Sequence, residues 1–553
     1  MDTNRTTVFA GLGKIGMKEK SIHIRNIVII TFIYFLAHGF ILVATGTWWD
    51  EKTWAFSSTE EMWNVSLQLG KPSTYFLMKF IFDVPEFVAR FLIFLCFYLS
   101  SLGMYLIYNQ IPVINEYNAM MMTLFYIVIP ANDARIMRGV FPYTVGYTFF
   151  IIAFCGLIFL QKKYKYRNLF FKLLVLFLFY CSFILNSNLV FYALPLLFIL
   201  VYIIENKMYN EVYKYIDFIV LPLIFYVIKN ENFPPYGIYE GYNGLTLDSL
   251  IYGFIETIVI SFERLKDILK CWMVYVQESI LILVVVLFIL GLIYFIRWSK
   301  LKCKIRFQAY NVGMKSRIIL FLIGIVAMYL GAYAYVAIGQ SCILTGVAGR
   351  SSILLGIGSA IIIYSIILWI PSERIRALVC IIAVLCGVLH FNSYYLSYQQ
   401  DTYRQQDLVH EMKENKELLE KTKNVLYITS TEPKVEATRF YTLNSNGREA
   451  FGDETHFIMN GLGDLMYLEG GSLYSMEQFV YEGDYQMDDY EIGRSVDIEA
   501  IIVYDNYISL KEVFRQKIKE IFKYKKFEED LYREKNLIVF TPEMDGFNEI
   551  ILK

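Results

Sequence analysis

The run NIVIITFIYFLAHGFILVAT, from Asn26 to Thr45, decides the class of this chain. It carries no Asp, Glu, Lys or Arg, and as a helix it extends about 30 Å, enough to cross the hydrocarbon core of a bilayer. Its exit is Trp48-Trp49-Asp50-Glu51 rather than a small-residue cleavage site, so it reads as a retained signal anchor. Lys14, Lys18, Lys20 and Arg25 precede it, which puts the N-terminus in the cytoplasm and Asp50 on the outer side.

The same pattern repeats outward from that run. Of 553 residues 56% are hydrophobic and 17% aromatic, and the apolar residues come in long blocks. Further spans are expected at Glu86–Tyr108, Tyr117–Pro130, Phe141–Leu160, Leu169–Leu185, Leu189–Ile204, Ile216–Ile228, Cys271–Trp298, Ile318–Gly339, Ser351–Trp369 and Ala377–Tyr394. The expectation is an α-helical polytopic membrane protein of about eleven transmembrane helices, occupying residues 1–396. The loops at Lys162–Arg167, Lys207–Lys214, Arg297–Arg317 and Arg374–Arg376 carry most of the positive charge between spans, as cytoplasmic loops should. Four pieces then face outward: Trp48–Pro85, Ala131–Val140, Lys229–Lys270 and the tail after Tyr394. A net charge of −1 indicates no surface for nucleic acid. The eight Cys show no disulfide framework or CxxC site, and the five His have no ligand spacing.

From about Ser397 long apolar runs vanish and charges mix, which predicts a soluble extracytoplasmic α/β domain over residues 397–553. Asp401–Asn424 reads as a charged helix, Val425–Ile428, Ala500–Tyr504 and Leu537–Phe540 as strands, and Leu510–Phe527 as a helix. No Gly-rich phosphate loop follows a strand there, so acceptor binding or assembly suits the domain better than a second active site.

Within the outer pieces, Asp50-Glu51 stands at a membrane boundary between aromatic residues, Trp48 and Trp49 before it and Trp54, Phe56 and Trp63 after it. Rings of this kind favour the headgroup region, and the layout suggests an active site opening at a membrane surface. The loop Asn232–Gly244 is rich in Pro, Gly, Tyr and Asn; Tyr236 and Tyr239 offer aromatic faces for sugar rings, or else anchor an interfacial loop. Arg350 ends the small-residue loop Thr345–Arg350, where glycines let backbone and guanidinium come close to a ligand. Lys71 stands between Gly70 and Pro72, where an ammonium can meet a phosphate or a lipid headgroup. Arg90, inside the second span, needs a partner, and Glu86 one turn earlier is the obvious one.

Three of these segments carry a resemblance. Gly70-Lys71-Pro72-Ser73-Thr74-Tyr75, then Glu86-Phe87-Val88-Ala89-Arg90, resembles the G-x-P-x-x-Y … E-x-x-x-R run of the GT-C superfamily of membrane glycosyltransferases. Asp133-Ala134-Arg135 is similar to the acid-Ala-Arg element that follows in that family, to which protein O-mannosyltransferases and bacterial aminoarabinose and polysaccharide-modifying transferases belong. The match covers roughly Trp48 to Leu160 by motif and the rest by topology. It departs from the family after Arg135, where Ile136-Met137-Arg138 stands in place of Met-Tyr.

The resemblance implies an inverting transferase that moves a sugar from a polyprenyl (undecaprenyl) phosphate carrier to a cell-surface glycan, lipid or protein acceptor outside the plasma membrane. Such a reaction needs a base for the acceptor hydroxyl and cations for the departing phosphate. Asp50 would be the base, with Glu51 as the substitute because register alone does not decide between them. Asp133 would orient the acceptor or, with Asp50, a divalent cation such as Mg or Mn. Arg135, Arg138 and Arg350, with Lys71, would meet the lipid phosphate, and Arg138 would share a face with Arg135 if that stretch is helical. The competing readings are a transporter or flippase of lipid-linked sugars, and a non-catalytic scaffold of a glycan-assembly complex. Neither internal repeats nor midplane polar breaks speak for the transporter.

Overall fold

A computed structural model describes residues 17–48, 51–56, 58–111, 114–162, 169–240, 247–274, 313–340, 342–419, 422, 424–429, 440–452, 457–460 and 500–540. Among them six helices are long and apolar enough to cross a membrane: His23–Leu42, Glu86–Tyr108, Phe141–Gln161, Asn186–Glu205, Met314–Val336 and Glu373–Glu414. Shorter apolar helices at Leu169–Ser182 and Leu355–Ile367 join the same bundle, with Glu116–Val128 in its centre, where every residue from Asn118 to Val128 is buried. The expected span at Cys271–Trp298 lies almost wholly outside the described residues, as does most of the basic loop after Lys162.

One hydrophobic core runs through the bundle, from Ile30 and Tyr34 on the first helix to Tyr395 and Tyr398 on the last. Helix contact without a hydrophobic drive between lipid-solvated faces depends on close approach. Gly387 shows this in the last helix, because a Cβ there would collide with the Val128 carbonyl oxygen. That approach seats the last helix against the segment that leads into Asp133.

The last helix also corrects the expected domain boundary. Glu373–Glu414 is one uninterrupted helix of 42 residues, roughly 63 Å long, so residues 396 and 397 fall in its middle. No Gly or Pro interrupts Tyr394–Asp401, and both halves find tertiary partners, so the change from apolar to charged composition marks a change of surroundings and not of backbone. The far half supports a four-stranded sheet of order β2-β1-β3-β4, with β1 Asn424–Ile428, β2 Phe457–Asn460, β3 Ala500–Tyr504 and β4 Leu537–Phe540. β1 runs parallel to β2 and β3, and β4 is antiparallel to β3. The helix expected over Leu510–Phe527 is two, Leu510–Phe522 and Tyr524–Leu531. The chain turns at Lys523 so that Phe527 and Leu531 join Leu396, Tyr403 and Leu510 in a small core.

The sheet domain sits directly on the loop after the first helix. Lys52, 7% exposed, pairs with Glu449 at 2.7 Å and also donates to Asn446, both on the helix Phe440–Phe451. Thr45 Oγ1 donates to Glu520, and Lys517 Nζ donates to Thr45 Oγ1 at 2.8 Å. We expect Lys52→Glu to lower the thermal midpoint and Glu449→Lys to restore part of it, with a coupling of roughly 0.5–3 kcal/mol in the double-mutant cycle. Strictly additive effects would mean that this pair does not hold the domain down.

Candidate functional site

Trp48, expected among lipid headgroups, is instead 2% exposed. Its indole Nε1 donates to the Tyr398 carbonyl at 2.7 Å, and the Arg90 guanidinium lies 4.6 Å from its ring centre. The chain thus returns into the bundle before the acidic pair. Asp50 itself lies outside the described residues, and Glu51 begins the short helix Glu51–Phe56.

Glu51 is fully buried and both its carboxylate oxygens are engaged. Oε2 accepts from the Trp48 backbone N–H at 3.1 Å and Oε1 from that of Gly139 at 2.7 Å. Burial raises its pKa above the usual glutamate range, although the positive charges of Arg90 and Arg138 and the two backbone bonds pull the other way. The arrangement makes Glu51 a tie between the loop after the first helix and the loop that follows Asp133.

Arg90 reinforces that tie. It has no exposed surface, and it donates to the Ile136 carbonyl, to the Gly46 carbonyl at 2.6 Å and to Glu86 at 2.9 Å. The partner expected one turn earlier is therefore present, with two backbone carbonyls besides. Glu86 in turn accepts from the Gly46 N–H at 3.0 Å.

Asp133 opens a single turn of 3-10 helix, Asp133–Ile136, entered through Asn132 in the left-handed region with φ 59°. The side chain is wholly buried, and Oδ1 lies 3.2 Å from Nε2 of His390. Oδ2 has no hydrogen-bond partner among the described residues. The side-chain partner of Asp133 is thus a histidine of the last helix. Met137 is extended, with φ −77° and ψ 138°, which ends the turn and separates the two arginines expected on one face.

Arg135 points into the bundle. Its guanidinium donates to the carbonyls of Asn132 at 2.9 Å and Ala131 at 2.6 Å, approaches His38 Nε2 at 3.3 Å, and is flanked by the rings of Phe97 and Phe391. A fork expected to bind phosphate is filled by the chain's own groups, and Arg135 braces the Asp133 turn instead. Arg138 lies over the Phe82 ring at 4.9 Å and within electrostatic reach of Glu51.

The Arg350 loop packs against this turn. Ser352 Oγ accepts from the Asn132 N–H at 3.0 Å, and a Cβ on Gly349 would come within 3.4 Å of the Asp133 nitrogen. Arg350 is half-buried and donates to the Val347 carbonyl at 3.2 Å. Beside it, Ser351 lines a small cavity of about 20 Å³ with Lys71, Tyr143, Asn186, Tyr335 and Gln340.

Lys71 reaches that cavity because Gly70 bends the chain. Gly70 has φ 65°, and a Cβ there would lie 2.5 Å from the Phe233 carbonyl oxygen, so only glycine lets the loop of residues 233–240 close over it. The same packing brings the Tyr236 N–H to the Gln68 carbonyl at 3.0 Å, with half of the Tyr236 surface open and Tyr239 in the next turn. It also brings in Lys229, which the sequence did not single out. Lys229 donates to Asn186 Oδ1 at 2.8 Å. Burial pushes the Lys71 ammonium down to about 8, and burial together with the nearby Lys71 charge brings Lys229 to about 8 as well. None of the residues lining the cavity is acidic.

Lys71 lines the cavity and Lys229 bonds to Asn186, which lines it too, and with no acid in the lining these surroundings suit an anion. Among the described residues no three His, Cys, Asp or Glu side chains gather as a metal site. Asp133 is present for a divalent cation, and its expected partner Asp50 lies outside the described residues. The chain matches no family model, no curated protein and no solved structure.

Proposed function

We propose that this chain is a membrane glycosyltransferase of GT-C type, which transfers a sugar from a polyprenyl phosphate to a glycan, lipid or protein acceptor on the outer side of the plasma membrane. The observation that carries the proposal is Lys71 in the cavity beside the Arg350 loop, with Lys229 bonded to the cavity's Asn186. The cavity as it stands has room for about one water, so a phosphate enters as its lining opens.

In the reaction the acceptor hydroxyl oxygen attacks the anomeric carbon as the carbon–oxygen bond to the phosphate breaks, with inversion. Asp50 takes the hydroxyl proton, and Lys71, Lys229 and Arg138 meet the charge that grows on the leaving phosphate. Glu51, Arg90 and Arg135 hold the two acid-bearing loops in place. About eleven spans, with Asp50 and the sheet domain outside and the N-terminus inside, complete the arrangement.

The test is binding of a short-chain polyprenyl phosphate to the purified chain in nanodiscs. Lys71→Met and Lys229→Met should each weaken binding by roughly 10- to 100-fold, as expected for losing a charged hydrogen bond. A lowered lysine pKa means that positive charge is lost as pH rises through about 8, so wild-type affinity should fall between neutral and alkaline pH. Unchanged affinity in both variants would remove the phosphate from this cavity.

A further inference from the structure

The sheet domain contains a cleft of about 690 Å³ that the reaction above does not use. It opens directly beyond the carboxyl end of β3, at Asn506 and Tyr507. In open α/β sheets ligands commonly bind outside the carboxyl ends of the strands, and this cleft lies beyond that end of β3. The cleft's volume lies within the roughly 300–1,000 Å³ usual for small-ligand sites.

Its lining specifies the chemistry. Gln516 is 6% exposed, its Nε2 donates to Glu512 at 3.1 Å, and its Oε1 has no partner among the described residues. A buried amide oxygen left without a partner calls for a donor, and Gln516 is among the residues that line the cleft. Asn506 and Asn536 both give their side-chain N–H groups to Asp407, at 2.7 and 2.9 Å, which leaves their carbonyl oxygens as further acceptors. Tyr507 is 72% exposed and presents a ring face at the rim.

The charges largely cancel. Four basic and three acidic side chains line the cleft, and Arg515 pairs with Glu512 while Lys519 and Arg533 both pair with Asp530. A strongly anionic ligand would have to break those pairs. Acceptors that want hydroxyl donors, an open aromatic face and little net charge together fit a neutral sugar chain.

We propose that this cleft binds neutral oligosaccharide, through Gln516, Asn506 and Asn536 to hydroxyl groups and through stacking on Tyr507. The binding claim stands on the cleft alone; that the bound chain is the acceptor for transfer rests on the transferase reading above.

The full chain in nanodiscs is applied to an array of immobilised neutral oligosaccharides covering hexose, N-acetylhexosamine and pentose linkages. Retention on at least one is expected. It should weaken roughly 10-fold in Tyr507→Ala and in Gln516→Ala, and persist in Tyr507→Trp. Tyr507 is exposed, so its replacement leaves the fold intact even if Gln516→Ala does not. No retention on any sugar, or equal retention by wild type and Tyr507→Ala, overturns the proposal. Release of polyprenyl phosphate from donor, measured in the same preparations, separates the two claims: its absence in wild type sinks the transferase reading, whereas the array alone judges the cleft.

Discussion

Replacing Asp50 with asparagine should lower the rate of sugar transfer by roughly 10²- to 10⁴-fold, the usual contribution of a general base, with donor affinity little changed. The amide keeps the size of the carboxylate but does not take a proton from the acceptor hydroxyl. The proposal gives the role to Asp50 because Glu51 is engaged at both oxygens and Asp133 is buried within the bundle, facing His390. Glu51→Gln should act differently: the amide turns an NH₂ towards one of two N–H groups, so the loop loosens and binding and turnover fall together. Single-turnover rates and donor dissociation constants for both variants distinguish these outcomes. Normal turnover by Asp50→Asn would transfer the role to Asp133.

Arg90→Ala should be the most destabilising single change outside the sheet domain. It strips the Gly46 and Ile136 carbonyls and Glu86 of a shared donor, with the guanidinium site fully buried. Leaving buried carbonyls without a donor costs roughly 1–3 kcal/mol each, while Glu86 is partly open to water, so the loss should appear as a clear fall in thermal midpoint in detergent or nanodiscs. Arg90→Lys should rescue little, because one ammonium does not reproduce the planar fork that spans three acceptors. A midpoint within experimental error of wild type in Arg90→Ala would show that the loops carrying Asp50 and Asp133 are held together by other contacts.

Much of the frame was legible because it is written in local patterns. Long apolar runs marked helices such as Glu86–Tyr108, and the β-branched run Ala500-Ile501-Ile502-Val503-Tyr504 marked a strand at its observed ends. The Glu86–Arg90 pair followed from helical spacing and the cost of a lone cation among apolar neighbours. β2 at Phe457–Asn460 was missed, since four residues carry little pattern of their own.

The site was less legible, for a physical reason. Its decisive contacts join residues far apart in the chain: Asp133 with His390, Glu51 with Gly139, Lys229 with Asn186. Spacing along a sequence does not report such meetings. Arg135 illustrates the limit most sharply, because its type and neighbourhood suit a phosphate, yet a 3-10 turn sends it inward to Asn132, Ala131 and His38. A signal did exist for His390 and His38, since ionisable residues inside apolar helices are costly and need partners.

The most direct test of the account is mass spectrometry of cell-surface glycans from cells that lack this chain, from the same cells complemented with wild type, and from cells complemented with Asp50→Asn. The account predicts that one sugar residue disappears with the chain, returns with wild type and stays absent with Asp50→Asn. Identical glycans in all three would contradict it.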